Sequence, residues 1–172
     1  MKKVIMLFGV ALVLFLSSCG KEEDRYENGP SVAKRMNGII LEAIENDEPE
    51  KIKELFCERL LKEHDDIDQE IEEFIHFIDG DIVSVGKQWG DPAGHSTKYP
   101  YGLTYERYIG QILDIETNTG NRYRINFYGY NVNIYSPDEI GIVSLTIIDW
   151  DKYKETGNSE GIRYDIYLDD WN

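Results

Sequence analysis

Two polar side chains on an otherwise apolar strand face are the strongest chemical signal in this sequence. Across residues 103–117 the odd positions are Leu103, Tyr105, Arg107, Ile109, Gln111, Leu113 and Ile115, and are mostly apolar. The even positions carry Thr104, Glu106, Asp114 and Glu116 and are mostly polar. That alternation predicts a long strand whose odd face turns inward. A polar group on an inward face has to be paired or has to line a cavity. A guanidinium is well shaped to grip a carboxylate or a phosphate. Arg107, Gln111 and Tyr105 are therefore the candidate ligand-binding residues, with Tyr123 and Tyr128 as expected neighbours on adjoining strands. The alternative is a β-bulge that turns Arg107 outward, or an internal Arg–Glu pair with no ligand.

No residue is assigned a catalytic role. His76 lies opposite the apolar stripe of its helix and is expected in solvent. His64 sits in a Glu63-His64-Asp65-Asp66 junction, where a cation near a helix end acts as a cap. His95 falls in a Gly- and Pro-rich segment, the usual setting for a binding histidine. No two histidines have metal-ligand spacing. Asp65, Asp66, Asp68 and Glu70 look like part of a calcium loop but lack its glycine and its terminal bidentate glutamate. Helix N-termini attract acids in any case. Asp149 with Asp151, and Asp165 with Asp169 and Asp170, lie near strand ends, where solvation or edge protection explains them. Twelve tyrosines and three tryptophans suit strands and also suit a sugar or peptide platform. Neither a metal nor any other cofactor is implied.

Cys19 and Cys57 are the two cysteines, so the chain is no disulfide scaffold. Cys57 reads as a small hydrophobe on the flank of a helix. Cys19 is different. Lys2 and Lys3 precede an uncharged apolar run over residues 4–16, followed at once by Leu16-Ser17-Ser18-Cys19. This is a secretory leader, too short to span a membrane comfortably. Its last four residues resemble the lipobox of bacterial lipoproteins, whose cysteine is lipidated and becomes the first residue of the mature chain. The expected organisation is a signal peptide at 1–18, a lipidated tether at 19–30 and one domain at 31–172. The chain then sits on the outer side of the cell membrane. Its formal net charge of −15 disfavours nucleic acid and any basic-patch attachment to lipid.

The elements that must position these groups follow from the hydrophobic period. Val32, Met36, Ile39, Ile40, Ala43 and Ile44 form a helical stripe, with Ser31 as N-cap. Asp47 and Glu50 resemble a capping box, Pro49 falls in the first turn, and Ile52, Leu55, Phe56 and Leu60 extend the second helix. A third opens at Asp65 or Asp66, carries Ile67, Ile71, Phe74, Ile75 and Ile78, and stops at Asp79-Gly80. The period then changes to two. Strands are expected at 81–89, 103–117, 122–134, 140–150 and 162–168, with loops at 90–102 and 151–161. The result is an α+β domain, three helices on a curved and mainly antiparallel sheet of about five strands. Gly86, Gly110 and Gly129 are candidate bend points in strands longer than usual.

This order resembles a family of Gram-positive lipoproteins built on one domain of unknown function. The resemblance runs through Lys51 to Phe56 (KIKELF), Asp66 to Ile71 (DIDQEI), Phe77 to Ser84 (FIDGDIVS) and Ile140 to Asp149 (IGIVSLTIID). It implies a nuclear-transport-factor-2-like, or cystatin-like, cone over residues 31–168, and no catalytic signature. Relatives on that cone include both enzymes and binding proteins, so fold alone does not choose. The first expectation is a membrane-anchored module that binds a small ligand, a peptide or an envelope protein without catalysis. The alternatives are a lyase- or isomerase-like enzyme with an acid–base pair in the cone, and an immunity or secretion accessory protein.

Overall fold

The computed structural model describes residues 27–98, 102–157 and 162–168. The leader, Cys19 and most of the tether, as well as Asp169 and Asp170, lie outside the described residues. The first helix, α1 (Gly29–Asn46), is capped one turn earlier than expected. Asn28, not Ser31, is its N-cap, and the Asn28 side chain accepts from the Ser31 amide at 3.1 Å. Pro30 needs no partner in that first turn. Val32, Met36, Ile40 and Ala43 are buried along one stripe. Asp47 ends α1 in the left-handed region at φ 55°, so it forms no capping box for the next helix.

The second expected helix is two short ones, α2 (Pro49–Lys53) and α3 (Glu58–Glu63). Between them the backbone turns to a strand instead of to itself. The Ile142 amide donates to the Leu55 carbonyl at 2.8 Å, and the Cys57 amide donates to the Ile142 carbonyl at 3.0 Å. Gly141 makes this approach fit. Its φ is +123°, and a Cβ there would lie 2.9 Å from the Cys57 nitrogen. The fourth helix, α4 (Ile67–His76), buries Ile67, Ile71, Phe74 and Ile75.

Six strands form one antiparallel sheet: β1 (Ile82–Val85), β2 (Gln88–Lys98), β3 (Gly102–Thr117), β4 (Arg122–Asn133), β5 (Gly141–Asp149) and β6 (Arg163–Tyr167). The order is β1-β3-β4-β5-β6, with β2 on the same edge of β3 as β1. β1 and β2 thus share one edge position, interrupted at Gly86-Lys87. This corrects two expectations: the first strand stops at Val85, and most of the segment 90–102 is strand, not loop. The expected loop at 151–161 likewise opens as a helix, α5 (Trp150–Thr156), capped by the Asp149 side chain on the Lys152 amide at 3.1 Å.

The core lies between the helices and one face of this sheet. Tyr108, Ile112, Ile115, Ile125, Phe127, Leu145 and Ile147 meet Ile40, Ile52, Leu60, Ile71 and Phe74, all essentially inaccessible. Packing is close at the centre. A Cβ on Gly110 would fall 1.9 Å from the Phe127 ring, so the phenyl occupies the space that a side chain would need. Among the described residues no helix is long and apolar enough to cross a membrane.

Candidate functional site

Which face of β3 meets the helices is decided by its pleat. Thr104, Tyr108, Gly110 and Ile112 are buried, and the Tyr108 hydroxyl reaches the Met36 sulfur at 3.2 Å. Leu103, Tyr105, Arg107, Ile109, Gln111 and Leu113 are half-buried on the opposite face. Near the end of β3 the phase reverses. Asp114 is left-handed at φ 53°, the register with β4 shifts between Ile112 and Ile115, and Ile115 and Thr117 turn to the core. The odd positions therefore face the helices only beyond this bulge. Tyr105, Arg107 and Gln111 lie on the sheet face turned away from the helices, and among the described residues only α5 covers part of that face.

Antiparallel register assembles the face. Gln111 pairs with Trp89 on β2 and with Asn126 on β4. Asn126 pairs with Thr146, and Thr146 with Asp165. One rung thus crosses all five positions of the sheet. The Trp89 Nε1–H donates to Gln111 Oε1, the Gln111 amide donates to Asn126 Oδ1 at 3.0 Å, and the Thr146 hydroxyl donates to Asp165 at 2.6 Å. Arg163 closes the end on Asp165 at 2.6 Å, and Lys87 lies 3.9 Å from the centre of the Trp89 ring. Side chains directly opposite in a ladder couple most strongly, and Trp89 with Gln111, Gln111 with Asn126 and Thr146 with Asp165 do so by hydrogen bonds.

Tyrosines flank the rung. Arg107 sits opposite Tyr130, and its guanidinium donates to the Ala93 carbonyl at 3.4 Å. The Tyr105 and Tyr130 rings are 5.6 Å apart, and burial pushes the Tyr130 hydroxyl above its ordinary pKa. Tyr128 is on the same face, opposite Ile109. At the α5 end, Arg124 stacks 3.3 Å over the Trp150 ring, which stacks in turn on Tyr153. Tyr123, expected beside Arg107, is on the core side, where its hydroxyl accepts from the Asp79 amide at 3.1 Å. The sequence reading missed Trp89, Asn126, Tyr130 and Arg124. Counting outward from the Asn118–Asn121 turn pairs Glu116 with Arg122 and Ile115 with Tyr123, and would set Gln111 opposite Phe127; the bulge at Asp114 shifts the register by one, and only that shift brings Gln111 to Asn126 and Arg107 to Tyr130.

The other candidates are placed elsewhere. His64 is the C-cap of α3, its amide donating to the Leu60 carbonyl at 3.2 Å, and its ring is held as well: Nε2 donates to the Tyr167 carbonyl at 2.9 Å and Nδ1 faces Glu70 at 2.8 Å. His76 is exposed, 3.7 Å from Asp47, and His95 is exposed on β2 opposite Glu106. Asp149 and Asp151 do not converge with Asp165. Asp151 pairs with Arg122 at 2.6 Å, and that guanidinium holds the Asp151 carboxyl below the usual carboxylate range. Cys57 is fully buried at the start of α3, and burial pushes its thiol up. Among the described residues no three His, Cys, Asp or Glu side chains are grouped to hold a metal ion. A cleft of about 600 Å³ lies at the far end of α1, with Ile44, Ile75, Ile78 and Ile82 along it and Glu45, Asp47 and Asp81 at its mouth.

A family model described as a domain of unknown function, DUF5104, matches residues 39–152. That span holds the face from Trp89 to Trp150 and omits β6. Among curated proteins no match is found.

Proposed function

The chain belongs to the DUF5104 family, and from that premise we propose a lipid-anchored, extracytoplasmic module that binds a peptide or protein partner without catalysis. The observation that carries this reading is the uncovered sheet face with its five-strand rung. An antiparallel sheet with one solvated face needs only polar side chains there. This face also carries Trp89, Tyr105, Tyr128, Tyr130 and Tyr167, and aromatic side chains with arginine are the residues that dominate binding surfaces. Charge favours the same face. Residues 42–81 hold sixteen Asp or Glu against four Lys or Arg, so an anionic partner is repelled from the helical side. Lys87, Arg107, Arg124 and Arg163 are gathered on the sheet side. An open face, not an enclosed pocket, suits an extended polymer whose carboxylates or carbonyls meet Arg107 and whose side chains rest on the tyrosines.

Anchoring rests on the leader and on Leu16-Ser17-Ser18-Cys19. An acidic domain has no electrostatic attraction to an anionic bilayer, and stable attachment through acyl chains takes two signals, as the diacylglyceryl group implied by a lipobox would give. The long β3 and β4 strands, bent by bulges over α1, support a nuclear-transport-factor-2-like cone. Cys19→Ala should move the protein from the membrane to the soluble fraction, and retention on the membrane would refute the anchor. A photo-crosslinking residue at Tyr128 or Gln111, in membranes of the source cell, should give one common adduct that Arg107→Ala weakens. The same probe at Glu72 on the helical side should give none. Equal adducts from both sides refute the binding face.

A further inference from the structure

We infer that the turn joining β4 to β5 is a membrane contact, which seats the domain on the bilayer that its own lipid occupies. This inference rests on the proposed Cys19 anchor. Three large apolar side chains stand out of this short segment: Ile134 is 50% exposed, Tyr135 67% and Ile140 47%. Such a group on a small domain marks an interaction surface.

Where the chain enters the domain selects the occupant. The first described residue, Glu27, gives its carbonyl to the Asn131 side chain at 2.6 Å, and the Gly29 amide donates to Glu106, which Asn131 also bonds at 2.7 Å. Asn131 is three residues from Ile134. The tether therefore reaches the domain at the end of the sheet from which this turn projects. Seven residues separate Cys19 from Glu27, a span of at most about 28 Å even fully extended. A lipid on Cys19 holds this end of the domain within reach of the bilayer surface.

The turn is also built to leave water cheaply. An unsatisfied backbone group becomes costly as it leaves water for the acyl region. Here the Ile134 amide donates to the Thr104 carbonyl at 3.0 Å, and the Tyr135 and Ser136 amides donate to the Asn133 side chain at 3.2 and 3.1 Å. The Glu139 and Ile140 amides are bonded within the turn, and Pro137 has no amide hydrogen to satisfy. The Glu139 carboxylate is held by Arg59 at 2.9 Å and by Asn133 at 3.1 Å. Asp138 is exposed, so it sets the depth: the apolar side chains enter the headgroup boundary while Asp138 stays in water. Tyr135, with an apolar ring and a polar tip, is the residue type enriched at that depth.

The test uses the full chain with Tyr135→Trp, incubated with phosphatidylcholine vesicles brominated at shallow acyl carbons. Whole-protein mass spectrometry of the same sample reports the lipid on Cys19. Tryptophan quenching should exceed that of the unsubstituted protein and persist in high salt, because the contact is apolar. Ile134→Ser with Ile140→Ser, in the same background, should lower the quenched fraction about tenfold. Lipidated, vesicle-bound protein without extra quenching overturns the contact and leaves the anchor standing. Quenching in protein with no lipid on Cys19 upholds the contact and refutes the anchor. Quenching abolished by salt overturns the contact, since it would then be electrostatic.

Discussion

Gly110→Ala tests how the candidate face is held from behind. The added methyl would lie 1.9, 2.3 and 2.5 Å from three carbons of the Phe127 ring, where atoms of this kind do not come within 3.0 Å. Phe127 is completely buried and packs edge-on against Tyr108, with ring centroids 6.3 Å apart. The ring has no solvent to swing into. Overpacking of this kind costs about 1–3 kcal/mol. Two terms oppose it: alanine loses less backbone entropy than glycine, by about 0.5–1 kcal/mol, and the methyl is itself buried. The clash wins because relieving it requires the ring to retreat by more than 1 Å in a close-packed core. The net expectation is a loss of about 1–2 kcal/mol, read as a fall in the urea midpoint of about 0.5–1 M. Phe127→Leu opens the space at its own cost of about 1–2 kcal/mol. In that background Gly110→Ala should become neutral or stabilising, a coupling of about 2 kcal/mol. Costs that simply add, or a Gly110→Ala protein as stable as the parent, would refute the reasoning.

Other outcomes follow from the same contacts. Cys57 should react with a thiol reagent far more slowly in the native protein than in urea, since burial both shields it and raises its pKa; equal rates would contradict its place in the core. Asn28→Ala should cost about 1 kcal/mol in urea unfolding by removing the cap of α1, and Ser31→Ala should cost little. The Asp151 carboxyl is depressed by Arg122, so its contribution is present above the unfolded value near pH 3.9 and is lost as pH falls through its lower folded value. The stability gap between the parent and Asp151→Asn should therefore narrow in strongly acid buffer, and a gap that widens there would reverse the assignment.

Sequence patterning located the helices of strong period and all five positions of the sheet, because those signals are local. α1 and α4 bury the stripes that their spacing marked. What failed was long-range. The break at residues 54–57 exists because Leu55 and Cys57 bond Ile142, some eighty-five residues away, and nothing in KIKELF announces it. The Arg107 face was assembled correctly as a face; its inward reading fails, and the alternative, a bulge that leaves Arg107 outward, is what the structure has. One bulge at Asp114 reverses the pleat of β3, and the apolar odd positions before it pack across strands in the open instead of beneath the helices. Alternation reports which residues share a side; it does not report which side the helices take when both carry large side chains. The Gly and Pro of residues 90–94 suggested a loop for a related reason. An edge strand pairs on one side only and tolerates both.

That same edge would matter if Cys19 carries the proposed lipid. Lipid attachment confines molecules to two dimensions and raises their frequency of lateral collision, the condition under which unpaired strand edges recruit one another into aggregates. β2 presents Gly90, Pro92 and Gly94 along its outer side, with register shifts between Pro92 and Gly94 and between Ser96 and Thr97. β1 is cut off from it at Gly86-Lys87, and β6, on the opposite margin, runs only five residues with Arg163 and Asp165 on it. Among the described residues neither margin offers a neighbouring copy a long, regular edge. The irregularity that hid β2 from the sequence reading also disfavours edge-to-edge joining of neighbouring copies.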